Sequence, residues 1–337
     1  LDRSIVVKPS YDEKGIQYLI ATTYGFLVRE KERLRVLPAL TIKSDVDLTS
    51  GNIEVKGKVE ISGDVAKGFK VHARDDIAIR GRTHGSILSS QCGSIKVDQL
   101  VLGGPGLFAS AGQSFTAQMI QNLKVKAEGD VMILKDARDS EISANGCLLM
   151  KEGHLFGGQA IVLGGIEARI VGSEGGTPTI VGSRSKAEVE EEAKQLAIQI
   201  EENKKLCETM GAKLGPVIKP DVEKIPVLEL AHCKKINDVL SKLDDMKAEC
   251  EVMERRLAKL QDALEREPWF QLNYGSLLHK GVTIKVGEDQ FYLDNYKTGP
   301  GTIEYSAEKR SFSEVKYKEL RALRPKKKVD PNSPGPV

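Results

Sequence analysis

The stretch that decides the fold runs from Gly51 to Gly81, GNIEVKGKVEISGDVAKGFKVHARDDIAIRG. Within it Ile53, Val59, Val65, Val71 and Ile77 recur at every sixth position, and Val55, Ile61, Ala73 and Ile79 follow two places later, with Lys67 breaking the second row. Residues two apart on a strand face the same side. Each unit therefore reads as a short strand with two inward side chains and then a corner. Gly51, Gly57, Gly63 and Gly81 keep the same rhythm at the corners, where a tight backbone turn gains from the missing Cβ. Such a unit cannot bury its apolar face alone and must stack on the next copy, so three faces of six residues close a coil of about 18 residues. The expected fold class is mainly β, a parallel β-helix.

Working outward, the rhythm loosens through Ile95 and Val97, Leu100 and Leu102, Leu123 and Val125, Val131 and Ile133, Ile142 and Ala144, and Ile161 and Leu163. Turns such as Glu128-Gly129-Asp130 and Asn145-Gly146 separate these pairs. An interruption is expected at Gly103-Gly104-Pro105-Gly106. Near Gly175-Gly176-Thr177-Pro178-Thr179 the composition changes and helical periodicity begins. Val189, Ala193, Leu196, Ile200, Asn203, Cys207 and Met210 are spaced by fours and threes, which predicts a helix from Lys186 to about Lys213. After a break holding Gly211, Gly215, Pro216, Pro220 and Pro226, a second and longer helix is expected from Leu228 to about Arg266, stopped by Pro268. Its seam is Ile236, Val239, Leu243, Met246, Cys250, Met253, Leu257, Leu260 and Leu264. Two such heptad seams predict an antiparallel coiled-coil hairpin inserted in the β-helix.

The domain division that follows is a small β-rich cap or domain remnant over 1–44, a β-helix over 45–182, the hairpin over 183–268, strands rejoining the β-helix over 269–320, and a disordered basic tail over 321–337. The rejoining strands are expected at Gly281 to Val286, Gln290 to Leu293 and Thr302 to Tyr305. The chain opens on Leu1 rather than methionine, consistent with a piece of a longer protein.

The order of these segments resembles the flagellar assembly protein A family. Asp45-Val46-Asp47 before Gly51-Asn52-Ile53, Gly63-Asp64-Val65, ARDDIAIRG over Ala73 to Gly81, AEGDV over Ala127 to Val131, Gly157-Gly158 and Thr179-Ile180-Val181-Gly182 carry the resemblance. It implies a right-handed parallel β-helix, similar to the carboxy-terminal domain of the septum-site inhibitor of the Min system, and a cytoplasmic role in placing or assembling flagella.

Composition narrows the function classes. Acidic and basic residues nearly cancel, 48 against 50, so no net field draws the chain to nucleic acid or to an anionic membrane. No apolar run is long enough to span a bilayer. Cys92, Cys147, Cys207, Cys233 and Cys250 form no CxxC pair and read as reduced thiols in a cytoplasm.

Parallel β-helices also include enzymes. Asp75 and Asp76 beside Arg74 and Arg80 suggest the calcium and base of a sugar lyase, but neighbours on a strand face opposite sides, so a solvated corner fits better. His84 is the best placed general base for an acyl transferase, yet a histidine in a surface turn is the plainer reading. His72, His154, His232 and His279 lack metal-ligand spacing, so neither metal nor cofactor is expected. Gly103-Gly104-Pro105-Gly106 lacks the lysine and hydroxyl residue of a phosphate loop.

The function expected is a non-enzymatic scaffold or localisation factor acting by protein–protein contacts, against the alternative of a carbohydrate-active or acyl-transferring β-helix enzyme. The second helix outruns the first, which would leave Leu257, Leu260 and Leu264 uncovered. These three are the expected interaction residues, with Asn203 setting register in the seam, and a homodimer through the coiled coil is the expected cover. The end of the β-helix, or the strands near Val282 and Ile284, is the alternative cover.

Overall fold

The computed structural model describes residues 5–9, 17–21, 26–30, 33–218 and 230–320. The tail over 321–337, with Lys326, Lys327 and Lys328, lies outside them, as do parts of 1–44 and the stretch holding Pro220 and Pro226. The chain forms two compact units, Leu1–Ala127 with Val131–Ile142, and Glu128–Asp130 with Ser143–Val337.

The first unit opens with two antiparallel hairpins, Ile5–Pro9 with Gln17–Ala21 and Phe26–Glu30 with Arg33–Leu37. The parallel ladder starts at Ala39–Ile42, which pairs with Lys58–Ile61, so it begins before residue 45. Along one face Ile53–Val55, Lys70–Ala73, Ile87–Ser90, Phe108–Ala111 and Lys124–Ala127 pair in succession. Along the next, Lys58–Ile61 pairs with Ile77–Ile79, then come Ile95–Leu102, Phe115–Gln121 and Val131–Ile133. A third column links Val46, Val65, Thr83, Val101, Ile120 and Ala137.

The sixth-position series is thus dealt onto three faces in rotation. Ile53 and Val71 fall on the first, Val59 and Ile77 on the second, and Val65 on the third. Val59, Val65, Val71 and Ile77 are fully buried, as a solenoid interior requires. Thr83 is the next member of the series and is also fully buried. Its hydroxyl has no hydrogen-bond partner among the described residues, an unusual and costly state for a buried polar atom.

Corners stack by a device that uses aspartate and glycine together. Asp45 Oδ1 accepts from the Asp64 amide at 2.8 Å, and Asp64 Oδ1 accepts from the Arg82 amide at 2.6 Å. A Cβ on Gly63 or Gly81 would overlap the aspartate of the preceding corner and the backbone beside it, so only glycine fits there. The Gly103-Gly104-Pro105-Gly106 interruption lies between the strands Ile95–Leu102 and Phe108–Ala111, and Gly106 takes a φ of 75°.

In the second unit Leu148–Val162 pairs in parallel with Ile166–Val171 and with Thr179–Ser183. Those two strands then pair with Phe270–Leu278 and Val282–Val286, across an intervening pair of helices. The helices are therefore an insertion in a ladder that resumes behind them. They are α1, Lys186–Ile218, and α2, Leu230–Leu264. A reciprocal cap starts α1: the Ser185 amide donates to Glu188 Oε2 at 2.7 Å, and the Glu188 amide donates to Ser185 Oγ at 3.2 Å.

Contrary to the sequence expectation, α1 does not end near Lys213. It continues through Gly211, Gly215 and Pro216, so the helices are nearly equal, 33 and 35 residues. Extending an existing helix costs far less than nucleating one, which lets it run past poor helix formers. No described helix is long and apolar enough to cross a membrane.

The ladder of this unit ends in antiparallel pairing. Val282–Val286 takes Asp289–Tyr292, Phe270–Leu278 takes Gly301–Ser306, and the latter takes Ser311–Lys316. The strands Phe270–Leu278 and Ser311–Lys316 were not expected from the sequence. The first is a short alternation, FQLNY, pressed between Pro268 and Gly275. A buried polar network ties the following segment across it. Asn273 Nδ2 and Gln271 Nε2 both donate to the Lys318 carbonyl, at 2.7 and 2.8 Å, and Thr302 Oγ1 donates to Asn273 Oδ1 at 2.8 Å.

Candidate functional site: the root of the helical pair

A group of charged side chains lies where the helices leave the ladder. Glu128 comes from the turn Glu128-Gly129-Asp130, Asn145 from the turn before Gly146, Arg184 from the end of Thr179–Ser183, Glu192 from α1 and Arg256 from α2. They close a ring. Asn145 Nδ2 donates to Glu128 Oε2 at 2.6 Å, and Arg184 Nη2 donates to Asn145 Oδ1 at 2.6 Å. Arg184 Nη1 pairs with Glu192 Oε2, Arg256 Nε donates to Glu192 Oε1 at 2.9 Å, and Arg256 Nε returns to Glu128 Oε2 at 3.4 Å.

The four charged side chains are between 15% and 29% exposed, and two positive groups face two negative ones. Charge-assisted hydrogen bonds in such a partly dry setting are strong and directional. A balanced ring holds geometry without leaving a buried net charge. Three further contacts brace it: Trp269 Nε1 to the Arg184 carbonyl at 2.8 Å, Lys259 Nζ to the Glu128 carbonyl at 2.8 Å, and Arg266 Nη1 to the Gly164 carbonyl at 3.0 Å. Burial pushes the Lys259 ammonium below the usual lysine range, against the opposing pull of Asp130 and Glu128. Chemically this assembly aims two helices.

The expected interaction residues need correction. Leu260 has no exposed surface, and Leu257 and Leu264 are only partly exposed, so the three do not form an open apolar patch. Arg256, Lys259 and Arg266 fasten this end of α2 to Glu128 and Gly164 of the ladder, so cover comes from within the chain. Asn203 faces α2, with Nδ2 3.8 Å from Met253 Sδ, and Lys204 Nζ lies 2.5 Å from Glu254 Oε1. The side chain of Ile236 lies outside the described residues.

Among the residues weighed for catalysis, the side chains of His84 and Asp76 have structural partners, while Asp75 takes part through its main chain. His84 Nε2 lies 3.7 Å from Asp64 Oδ2 at a corner, and that carboxylate is already committed to the Arg82 amide. Asp76 Oδ1 accepts from the Ser94 amide at 2.8 Å, and the Asp75 carbonyl accepts from Ser90 Oγ at 2.6 Å. His72 stands in a row between Glu54 and Ser89. His154 Nε2 lies 2.6 Å from the Gly172 carbonyl and its ring stacks 6.5 Å from that of His279. The side chain of His232 lies outside the described residues, among which no three His, Cys, Asp or Glu groups converge to hold a metal.

Sequence reasoning missed all five ring residues. None sits at a periodic position, and the only signals were the turns around Glu128 and Asn145. The corner role of Asp64, and that of Asp130, whose Oδ1 accepts from the Cys147 amide at 2.8 Å, was more accessible, because both follow a glycine.

The architecture is a mainly β parallel solenoid with two helices inserted between its strands. The chain belongs to the Flagellar Assembly Protein A family, whose beta solenoid domain matches residues 38–310. No curated protein and no solved structure matches it. The family suggests a role in flagellar assembly.

Proposed function

We propose that the chain is a non-enzymatic cytoplasmic scaffold or localisation factor in flagellar assembly, acting through protein–protein contacts made by its helices. The observation that carries this reading is the ring of Glu128, Asn145, Arg184, Glu192 and Arg256, which spends charged side chains on holding the helices in one direction. A protein that presents a surface to a partner gains from such pre-organisation. Against the enzyme alternative stand the structural commitments of the His84 and Asp76 side chains.

The helices are read as an antiparallel coiled-coil hairpin. Glu192 opposite Arg256, Asn203 opposite Met253 and Cys207 opposite Cys250 support this, since the partner number falls as the first number rises. The solenoid is read as right-handed, the hand that crossovers between parallel strands nearly always take. On this reading the hairpin, 183–268, separates the β-helix, which begins at Ala39, from the returning strands over 269–320. Self-association through the coiled coil belongs to the proposal. Its apolar surface would be Ile198 and Leu206 of α1, 60% and 49% exposed.

The test is a chromosomal deletion in a flagellated cell that encodes the chain, with flagella counted and located by electron microscopy. Flagellar number or placement should be disturbed, restored by the intact chain, and not restored by a chain in which 186–264 is replaced by a short linker. Normal flagellation in the deletion strain would overturn the reading.

A further inference from the structure

The helical pair carries two cysteines that face each other. From Asn203, four residues along α1 lead to Cys207; from Met253, its contact on α2, three residues back lead to Cys250. These steps keep both residues in one heptad seam, because positions three and four apart share a helix face. The Lys204–Glu254 ion pair flanks them on the same side of the pair. Both thiols are free, Cys207 is partly exposed and Cys250 is buried.

We propose that Cys207 and Cys250 are a redox site, at which a peroxide converts the two thiols to a disulfide that staples α1 to α2. The inference rests on reading the helices as an antiparallel pair. The more accessible Cys207 thiolate attacks the peroxide oxygen, breaking the O–O bond and leaving a sulfenic acid, while water departs. Cys250 sulfur then attacks the Cys207 sulfur, forming the S–S bond and expelling a second water. The two thiols supply two electrons and two protons, the peroxide takes them, and two waters result.

Electrostatics sets the division of labour. Burial and the adjoining Cys207 push the Cys250 thiol above its ordinary range. Cys250 therefore stays protonated at rest and acts second, as the resolving partner. In a reducing compartment the dithiol is the resting form, and the staple forms only under oxidant. Cross-linking would hold the seam closed at mid-helix, adding a covalent restraint to an arm otherwise fixed at its root.

The experiment uses the full chain, reduced, desalted and exposed to hydrogen peroxide, then denatured, alkylated, digested and mapped by mass. The expected result is one linked species containing the Cys207 and Cys250 peptides, with near-complete loss of both from the alkylated pool and recovery after dithiothreitol. Cys207→Ser should leave Cys250 alkylatable after the same treatment. The proposal is overturned if both cysteines remain alkylatable, if Cys207 is over-oxidised while Cys250 stays free, or if the link joins two copies of the Cys207 peptide. A chain carrying Cys207→Ser, Cys250→Ser, Asn203→Cys and Met253→Cys separates the two readings. Formation of the 203–253 link, with no 207–250 link in the native chain, removes the redox site and keeps the helix pairing. Absence of both links removes the pairing as well.

Discussion

From residue 39 to 142 the chain buries chiefly valine, isoleucine and alanine in three columns and keeps its charges on the outward strand faces and at the corners. Beyond residue 143 it buries Asn273 and Thr302 completely, nearly buries Gln271 and Glu304, and ties down its helices with arginine and glutamate. The first region is held by area removed from water, which is non-directional and tolerant of which apolar residue supplies it. The second has an apolar core too, with Leu148, Ile166, Val181, Leu272 and Ile284 buried, and adds hydrogen bonds whose worth depends on every partner being present. A periodic interior can be repeated cheaply, whereas a unique junction must be specified atom by atom.

That contrast is most directly broken at Val65. Replacing it with aspartate puts an unpaired carboxylate in a fully buried column, a cost of at least several kcal/mol by the scale for buried charges. The expected outcome is loss of the cooperative unfolding transition or of soluble protein. A soluble Val65→Asp chain with an unaltered denaturation curve would refute the inward assignment.

At the root, Arg256→Met keeps an aliphatic stem but leaves Glu192 with Arg184 alone and Glu128 with Asn145 alone in a partly dry site. It should cost about 1–3 kcal/mol. Glu192→Gln in the same background should then cost little more, because the ring is already open. Urea denaturation of the two single variants and the double variant gives the coupling directly. Additive losses would mean that the ring does not act as a unit.

Alkali should distinguish the regions without mutation. Burial, aided by the hydrogen bond to Glu314, pushes the Tyr274 phenol up to about 12, and burial with Asp289 does the same for Tyr305. Both values are raised on folding, so their stabilising contribution is complete below the ordinary value of 10.0 and is lost as the pH rises toward about 12. Urea midpoints at stepped pH should therefore fall across that window for the second unit. Tyr274→Phe should flatten the fall.

The smallest effect has the opposite sign. Thr83→Val exchanges a buried, unpartnered hydroxyl for a methyl group in the column of Val65 and Val101, and should stabilise the first unit by about 1 kcal/mol. A drop in melting temperature would show that the hydroxyl has a partner, such as an enclosed water.

The sequence alone was enough for whatever repeats. Ile53, Val59, Val65, Val71 and Ile77 announce a parallel coil because each strand presents the same chemistry to the one above it, so the period is written along the chain. The helices were legible for the same reason, their seams recurring by threes and fours, and the family resemblance rested on the order of such segments. What does not repeat was decided in three dimensions. Tertiary pairing placed Phe270–Leu278 beside Ile166–Val171, more than a hundred positions earlier in the chain. It gathered Glu128, Asn145, Arg184, Glu192 and Arg256 from five separate segments, and it covered Leu260, which the heptad pattern alone had left exposed. Periodicity reports which face a side chain takes; only the folded chain decides what meets that face.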